Sequence, residues 1–69
     1  MLTLSVGRPK PVNQTRVVKL GYDPETLLTP EIAKEAIQIA FGGTTWAMVR
    51  GGGKAYWIDE EGNAHDQDN

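Results

Sequence analysis

Residues 29–41, TPEIAKEAIQIAF, constrain this chain more than any other stretch, because they specify one amphipathic helix together with both of its ends. Thr29 suits the N-cap, where a hydroxyl accepts from an otherwise unpaired amide of the first turn. Pro30 follows at the first helical position, where its missing N–H is not needed. Glu31 lies near the positive end of the helix dipole. Gly42 and Gly43 supply the left-handed residue on which helices commonly end. On a wheel of about 100° per residue, Ile32, Ala33, Ala36, Ile37, Ile39, Ala40 and Phe41 share one broad face, and Glu31, Lys34, Glu35 and Gln38 share the other. Such a helix must lie on an apolar surface, and its alanines allow close approach to a sheet.

That surface has to come from the flanking segments. Leu2, Leu4 and Val6 alternate with Thr3 and Ser5, as in a half-buried strand. Residues 7–14, GRPKPVNQ, read as a loop around Pro9 and Pro11. Residues 15–22 form a second strand, with Val18, Leu20 and Tyr22 on one side and Val17 and Lys19 on the other. Asp23, Pro24 and Glu25 repeat the cap-Pro-Glu pattern and predict one short helical or 3₁₀ turn. Residues 44–50, TTWAMVR, and 54–59, KAYWID, flank Gly51, Gly52 and Gly53 as a hairpin. Residues 59–63 make another turn, with Gly62 suited to positive φ. A short fifth strand follows near residues 63–65, and residues 67–69 should fray as an acidic tail outside a single domain of residues 1–66.

The order is β-β-α-β-β, with or without the fifth strand, so the expected class is α+β: one helix packed on a four-stranded mixed sheet. A right-handed crossover between the hairpins would bring the outer strands together as a parallel central pair. In element order this resembles the β-grasp and protein-G-like plan. Folds of this kind host many unrelated functions.

Composition narrows the function classes. A chain of 69 residues buries only about 60% of its unfolded surface. It has no cysteine for a disulfide or thiolate site, and a single histidine argues against zinc. No cofactor is expected. No apolar run approaches the ~20 residues of a membrane span, and the first ten residues lack the features of a signal peptide, so the expected location is cytoplasmic with no membrane partner. A net charge of −2 disfavours nucleic acid as the default partner. The charge is unevenly distributed: residues 1–22 carry Arg8, Lys10, Arg16 and Lys19 and no acid, whereas residues 55–69 carry Asp59, Glu60, Glu61, Asp66 and Asp68 and no Lys or Arg. The simplest expectation is that the two ends attract each other in the fold.

No motif carries identifiable chemistry. A phosphate loop ending at Lys54 would need glycine where Met48 stands and Ser or Thr where Ala55 stands, so the glycines read as a flexible hairpin tip. Asp59, Glu61 and Asn63 match the start of a calcium loop, but Ala64 occupies its glycine position. Pro9-Lys10-Pro11 lacks the PxxP spacing of a groove ligand. Asn13-Gln14-Thr15 fits a glycosylation sequon in a chain with no secretory signal. His65 and Ser5 have no evident catalytic partner, and neighbouring Asp59, Glu60 and Glu61 read as a solvated turn. A non-enzymatic role is expected.

The second hairpin needs explaining, because it is apolar on both faces. A three-residue loop pairs Arg50 with Lys54 and groups Trp46, Met48, Tyr56 and Ile58. A two- or four-residue loop instead groups Trp46, Met48 and Trp57 against Ala47, Val49, Tyr56 and Ile58. In either register the alternation leaves Trp57 outside, and one helix covers one face only. The expected partner-binding set is Trp57, Trp46, Met48, Val49, Arg50 and Lys54. The expected function is a small protein-binding module, an inhibitor, adaptor or subunit, with a protein partner or a second copy of itself. In size and acidity it resembles phage- or bacterium-encoded regulators, among them inhibitors of host defence or transcription machinery. The alternative is a single-stranded nucleic-acid binder that uses the sheet aromatics with Arg16, Lys19, Arg50 and Lys54.

Overall fold

The computed structural model describes residues 1–8 and 14–67. They form β1 (Leu2–Arg8), β2 (Gln14–Leu20), α1 (Pro30–Phe41), β3 (Ala47–Gly51), β4 (Lys54–Ile58) and β5 (Ala64–Asp66). The fold is α+β, with α1 lying across β1 to β4 of one five-stranded sheet in the order β2-β1-β3-β4-β5. The short fifth strand is present.

Every pairing in the sheet is antiparallel. This corrects the expected four-stranded mixed sheet and its protein-G-like order: β3, not β4, lies beside β1, with Val6 opposite Val49. The side chains give a reason. Beneath the helix, β3 presents small Ala47 and Val49, both fully buried, which suit the centre of the sheet. On the same side β4 presents Tyr56, which packs at the rim of the core. A tyrosine favours a place where its ring is covered and its hydroxyl can reach water. The chain therefore meanders outward from β3 through β4 to β5.

The helix ends behave as expected. Thr29 Oγ1 accepts from the Ile32 amide at 3.2 Å, and Gly42, at φ 79°, donates to the Gln38 carbonyl. Ile32, Ala33, Ala36, Ile37 and Ala40 are buried. Ile39, at the edge of the apolar wheel, is 59% exposed, so the buried stripe is narrower than the sequence pattern. With these residues, Leu2, Leu4, Val6, Val18, Leu20, Leu28, Ala47, Val49 and Ile58 complete a core that is wholly aliphatic. Among the described residues no polar or charged residue is buried as a whole, and Arg8 Nε is a buried side-chain nitrogen with no hydrogen-bond partner.

Several boundaries shift. β1 extends through Gly7 and Arg8, and β2 begins at Gln14, so pairing consumes both ends of the expected loop. The rest of that loop, including Pro9, Pro11 and Asn13, lies outside the described residues, as do Asp68 and Asn69 of the expected tail. Gln67 still donates its amide to Ala55. Tyr22 falls beyond β2, and its hydroxyl donates to Glu35 at 2.9 Å. Residues 23–26 make one turn closed by an i→i+3 bond, the 3₁₀-type alternative in its shortest form, a single β-turn: the Thr26 amide donates to the Asp23 carbonyl, and Asp23 Oδ1 accepts from the Glu25 amide.

The glycine hairpin closes through a tight turn that other parts of the chain pack against. Gly51 pairs with Lys54, leaving a two-residue turn of Gly52 and Gly53 at φ 55° and 79°, the positive values a type I′ turn requires. The segment before the helix packs onto this turn, with the Leu28 amide donating to the Gly52 carbonyl. A Cβ on Gly52 would lie 2.8 Å from the Thr26 carbonyl oxygen and 2.9 Å from the Leu28 nitrogen. The expected attraction between the two ends of the chain is also replaced, because β2 and β5 lie at opposite edges of the sheet. The Lys54–Asp66 ion pair and the His65–Asp59 hydrogen bond both form within the C-terminal part.

Candidate functional site: the helix-free sheet face

Strand alternation turns Thr3, Ser5 and Gly7 of β1 away from the helix, because Leu2, Leu4 and Val6 face it. The pairing register then places Lys19, Val17 and Thr15 of β2 beside them on one side, and Arg50 and Met48 of β3 on the other. Met48 is opposite Trp57, which is opposite His65 of β5. No helix covers this surface. It is polar and small-residued near β1 and aromatic toward β4.

The two-residue turn selects the register that groups Met48 with Trp57 and sends Ala47, Val49, Tyr56 and Ile58 toward the helix. Trp57 lies on the open face as expected, but it is half-buried, not exposed. Trp46 is half-buried too, and neither indole belongs to the core. Trp46 precedes β3, which begins at Ala47 rather than at Thr44. Its amide donates to the Ile58 carbonyl at 2.7 Å while its φ is 65°. For a bulky residue that conformation costs about 1–2 kcal/mol. Arg50 is exposed, with Nη2 3.9 Å from Met48 Sδ.

Two members of the expected partner-binding set belong elsewhere. Val49 is fully buried beneath the helix and contributes to the core. Lys54 points to the helix side, where its Nζ lies 2.6 Å from Asp66 Oδ2 and 5.6 Å from the centre of the Tyr56 ring. Both errors follow from register, since adjacent strand residues always face opposite ways.

Trp46 and Trp57, with Asp59, Glu60 and Glu61, line an open recess of about 370 Å³. Asp59 builds its acidic rim. Oδ1 accepts from the amides of Glu61 and Asn63 at 2.9 and 2.8 Å, and Oδ2 lies 2.9 Å from His65 Nε2. The His65 hydrogen bond, with the Asn63 amide next, holds the Asp59 carboxyl down at about 2. Sequence reading placed these acids in a solvated turn; the link it missed is the spatial one to both tryptophans. A smaller hollow of about 150 Å³ lies between Ser5, Gly7, Thr15, Met48 and Arg50.

The basic residues divide between the faces. Arg8 and Arg16 both lie over the Phe41 ring, 4.8 and 4.9 Å from its centre, on the helix side. Arg16 donates to the Ala40 carbonyl, which complements the negative end of the helix dipole. Of the four cations expected near the sheet aromatics, only Lys19 and Arg50 share their face. Among the described residues no group of three His, Asp or Glu side chains is placed to hold a metal ion, and no helix is long and apolar enough to cross a membrane.

Comparison with family models, curated proteins and solved structures finds no match. The site is therefore read from its own chemistry. It offers two tryptophans beside an acidic turn, with Met48 opposite Trp57 on the neighbouring strand.

Proposed function

We propose that this chain is a small, non-enzymatic protein-binding module, an inhibitor, adaptor or subunit of the regulator type, acting through its helix-free sheet face. The observation that carries this reading is the placement of both tryptophans outside an aliphatic core, where they line one recess together and Trp57 lies opposite Met48 on a face no helix covers. Tryptophan and arginine are the residues most often responsible for interface affinity. In this reading the cytoplasm is its working compartment. The nucleic-acid alternative loses support from Arg16 and Lys54, which serve the helix terminus and Asp66.

Site-specific photo-crosslinking in the native cell tests this. A crosslinker at exposed Thr3 on the open face is expected to trap a discrete protein that one at exposed Gln38 on the helix does not. Trapping of nucleic acid instead, or equal trapping from both positions, refutes the assignment.

A further inference from the structure

We propose that the recess between Trp46 and Trp57 receives an arginine side chain of the partner. This rests on the protein-binding assignment above and specifies the partner's chemistry. The recess is lined by two half-buried tryptophans and by three acidic residues in succession. Glu60 and Glu61 are exposed and have no ion-pair partner among the described residues. Among the described residues the cation–ring contacts go to Phe41 and Tyr56, and none goes to either indole.

The choice of ligand follows from what each class would meet there. An anion is repelled by the rim. A purely apolar group would strip water from the carboxylates without replacing it. A cation is attracted by the rim and by the indole faces, which bind cations best among the aromatic rings. Between the basic side chains, guanidinium is planar and weakly hydrated. It can stack on an indole while donating in plane to a carboxylate, whereas ammonium gives up a tightly held hydration shell. Asp59 is committed to its own turn, so Glu60 and Glu61 are the acceptors. Trp46 supports the same reading: its positive φ is held at a cost, and strain of this kind gathers at binding sites.

The test uses the full isotope-labelled chain, titrated with acetyl-arginine amide and, separately, with acetyl-citrulline amide, which has the same shape and no charge. The indole N–H resonances report the recess directly. Arginine is expected to shift both indoles saturably with a millimolar dissociation constant, and citrulline to bind about tenfold more weakly or not at all. The variant carrying Glu60→Gln with Glu61→Gln keeps its turn, because Asp59 is untouched, and should weaken arginine binding about three- to tenfold. Unmoved indoles, or citrulline binding as well as arginine, overturn the proposal. If that happens while the crosslinker at Thr3 still traps a protein, the recess inference alone falls. If the crosslinker also fails, the protein-binding assignment falls with it. Self-assembly of the pure protein that the double variant abolishes would make the occupant a second copy and overturn the heterologous partner.

Discussion

The two faces of this sheet are built by different rules. The helix side has an aliphatic core with no buried polar or charged residue among the described ones, although Arg8 Nε at its edge is buried without a hydrogen-bond partner. The open side mixes Thr, Ser and Gly with Met48, Arg50 and Trp57, and at one end it carries an acidic turn. A domain this small usually needs its largest aromatic residues inside, because they bury the most surface. Here alanines in the helix and in β3 let helix and sheet approach so closely that Leu, Ile and Val fill the space. The tryptophans are not required to build the core, so their positions ask for an explanation outside the monomer.

If that contrast is right, the largest losses come from the helix side. Ile37 is fully buried, and Ile37→Ala should cost about 2–5 kcal/mol in urea denaturation. A neutral result would mean that the helix does not pack through this face. Gly52→Ala should come next, at about 2–3 kcal/mol. The left-handed φ alone costs ~1–2, and the new Cβ would press on the Thr26 and Leu28 backbone. Gly42→Ala also has a positive φ, but nothing lies within 4 Å of its Cβ. The difference between the two variants isolates the packing of the hairpin under the helix entry. Trp57→Ala should be milder still. Half of an aromatic surface of ~200 Å² at ~25 cal/mol per Å² gives about 2.5 kcal/mol at most, short of the ~3–5 of a core tryptophan. The variant should remain a folded monomer at low concentration, yet lose the partner trapped through Thr3. A collapsed fold would erase the distinction between the two faces.

Which parts of this arrangement were legible in the sequence depends on how far each signal reaches along the chain. The helix was legible with its caps because Thr29, Pro30 and Gly42 act within a turn of the backbone they terminate. The strands were legible from alternation, apart from their ends. Strand neighbours were not, since β3 lies beside β1, a strand much earlier in the chain, and no local signal in either segment names its partner. The site shows the same division. The two-faced hairpin pointed to Trp57, but the turn length that put Val49 inside and Lys54 on the helix side could be read either way. The recess joins Trp46 to a turn 13 residues later through a positive φ that nothing in the local sequence announces. Leu28 was passed over for a similar reason: it is anchored by Gly52 across the fold.

The smallest effect expected is also the most selective for one face. The core holds no buried titratable group among the described residues, so mild acid has nothing to act on there. On the open side, Asp59 titrates at about 2 in the folded chain, against an ordinary 3.8. A carboxyl whose value is depressed by folding adds stability above its unfolded value, and that contribution fades as pH falls through the folded one. The window is therefore from about pH 4 down to about pH 2. Asp59→Asn keeps the shape and removes the charge, so the stability difference between native chain and variant should be constant above that window and shrink through it. Because both tryptophans line the recess that Asp59 shapes, their fluorescence should begin to change within the window before far-UV circular dichroism reports any loss of helix. Coincident transitions in the two signals would mean that the turn and the core unfold as one unit. A fluorescence change that precedes helix loss, and that is absent in Asp59→Asn because no carboxyl remains at that position to titrate, would show that the recess can open while the helix side stays closed.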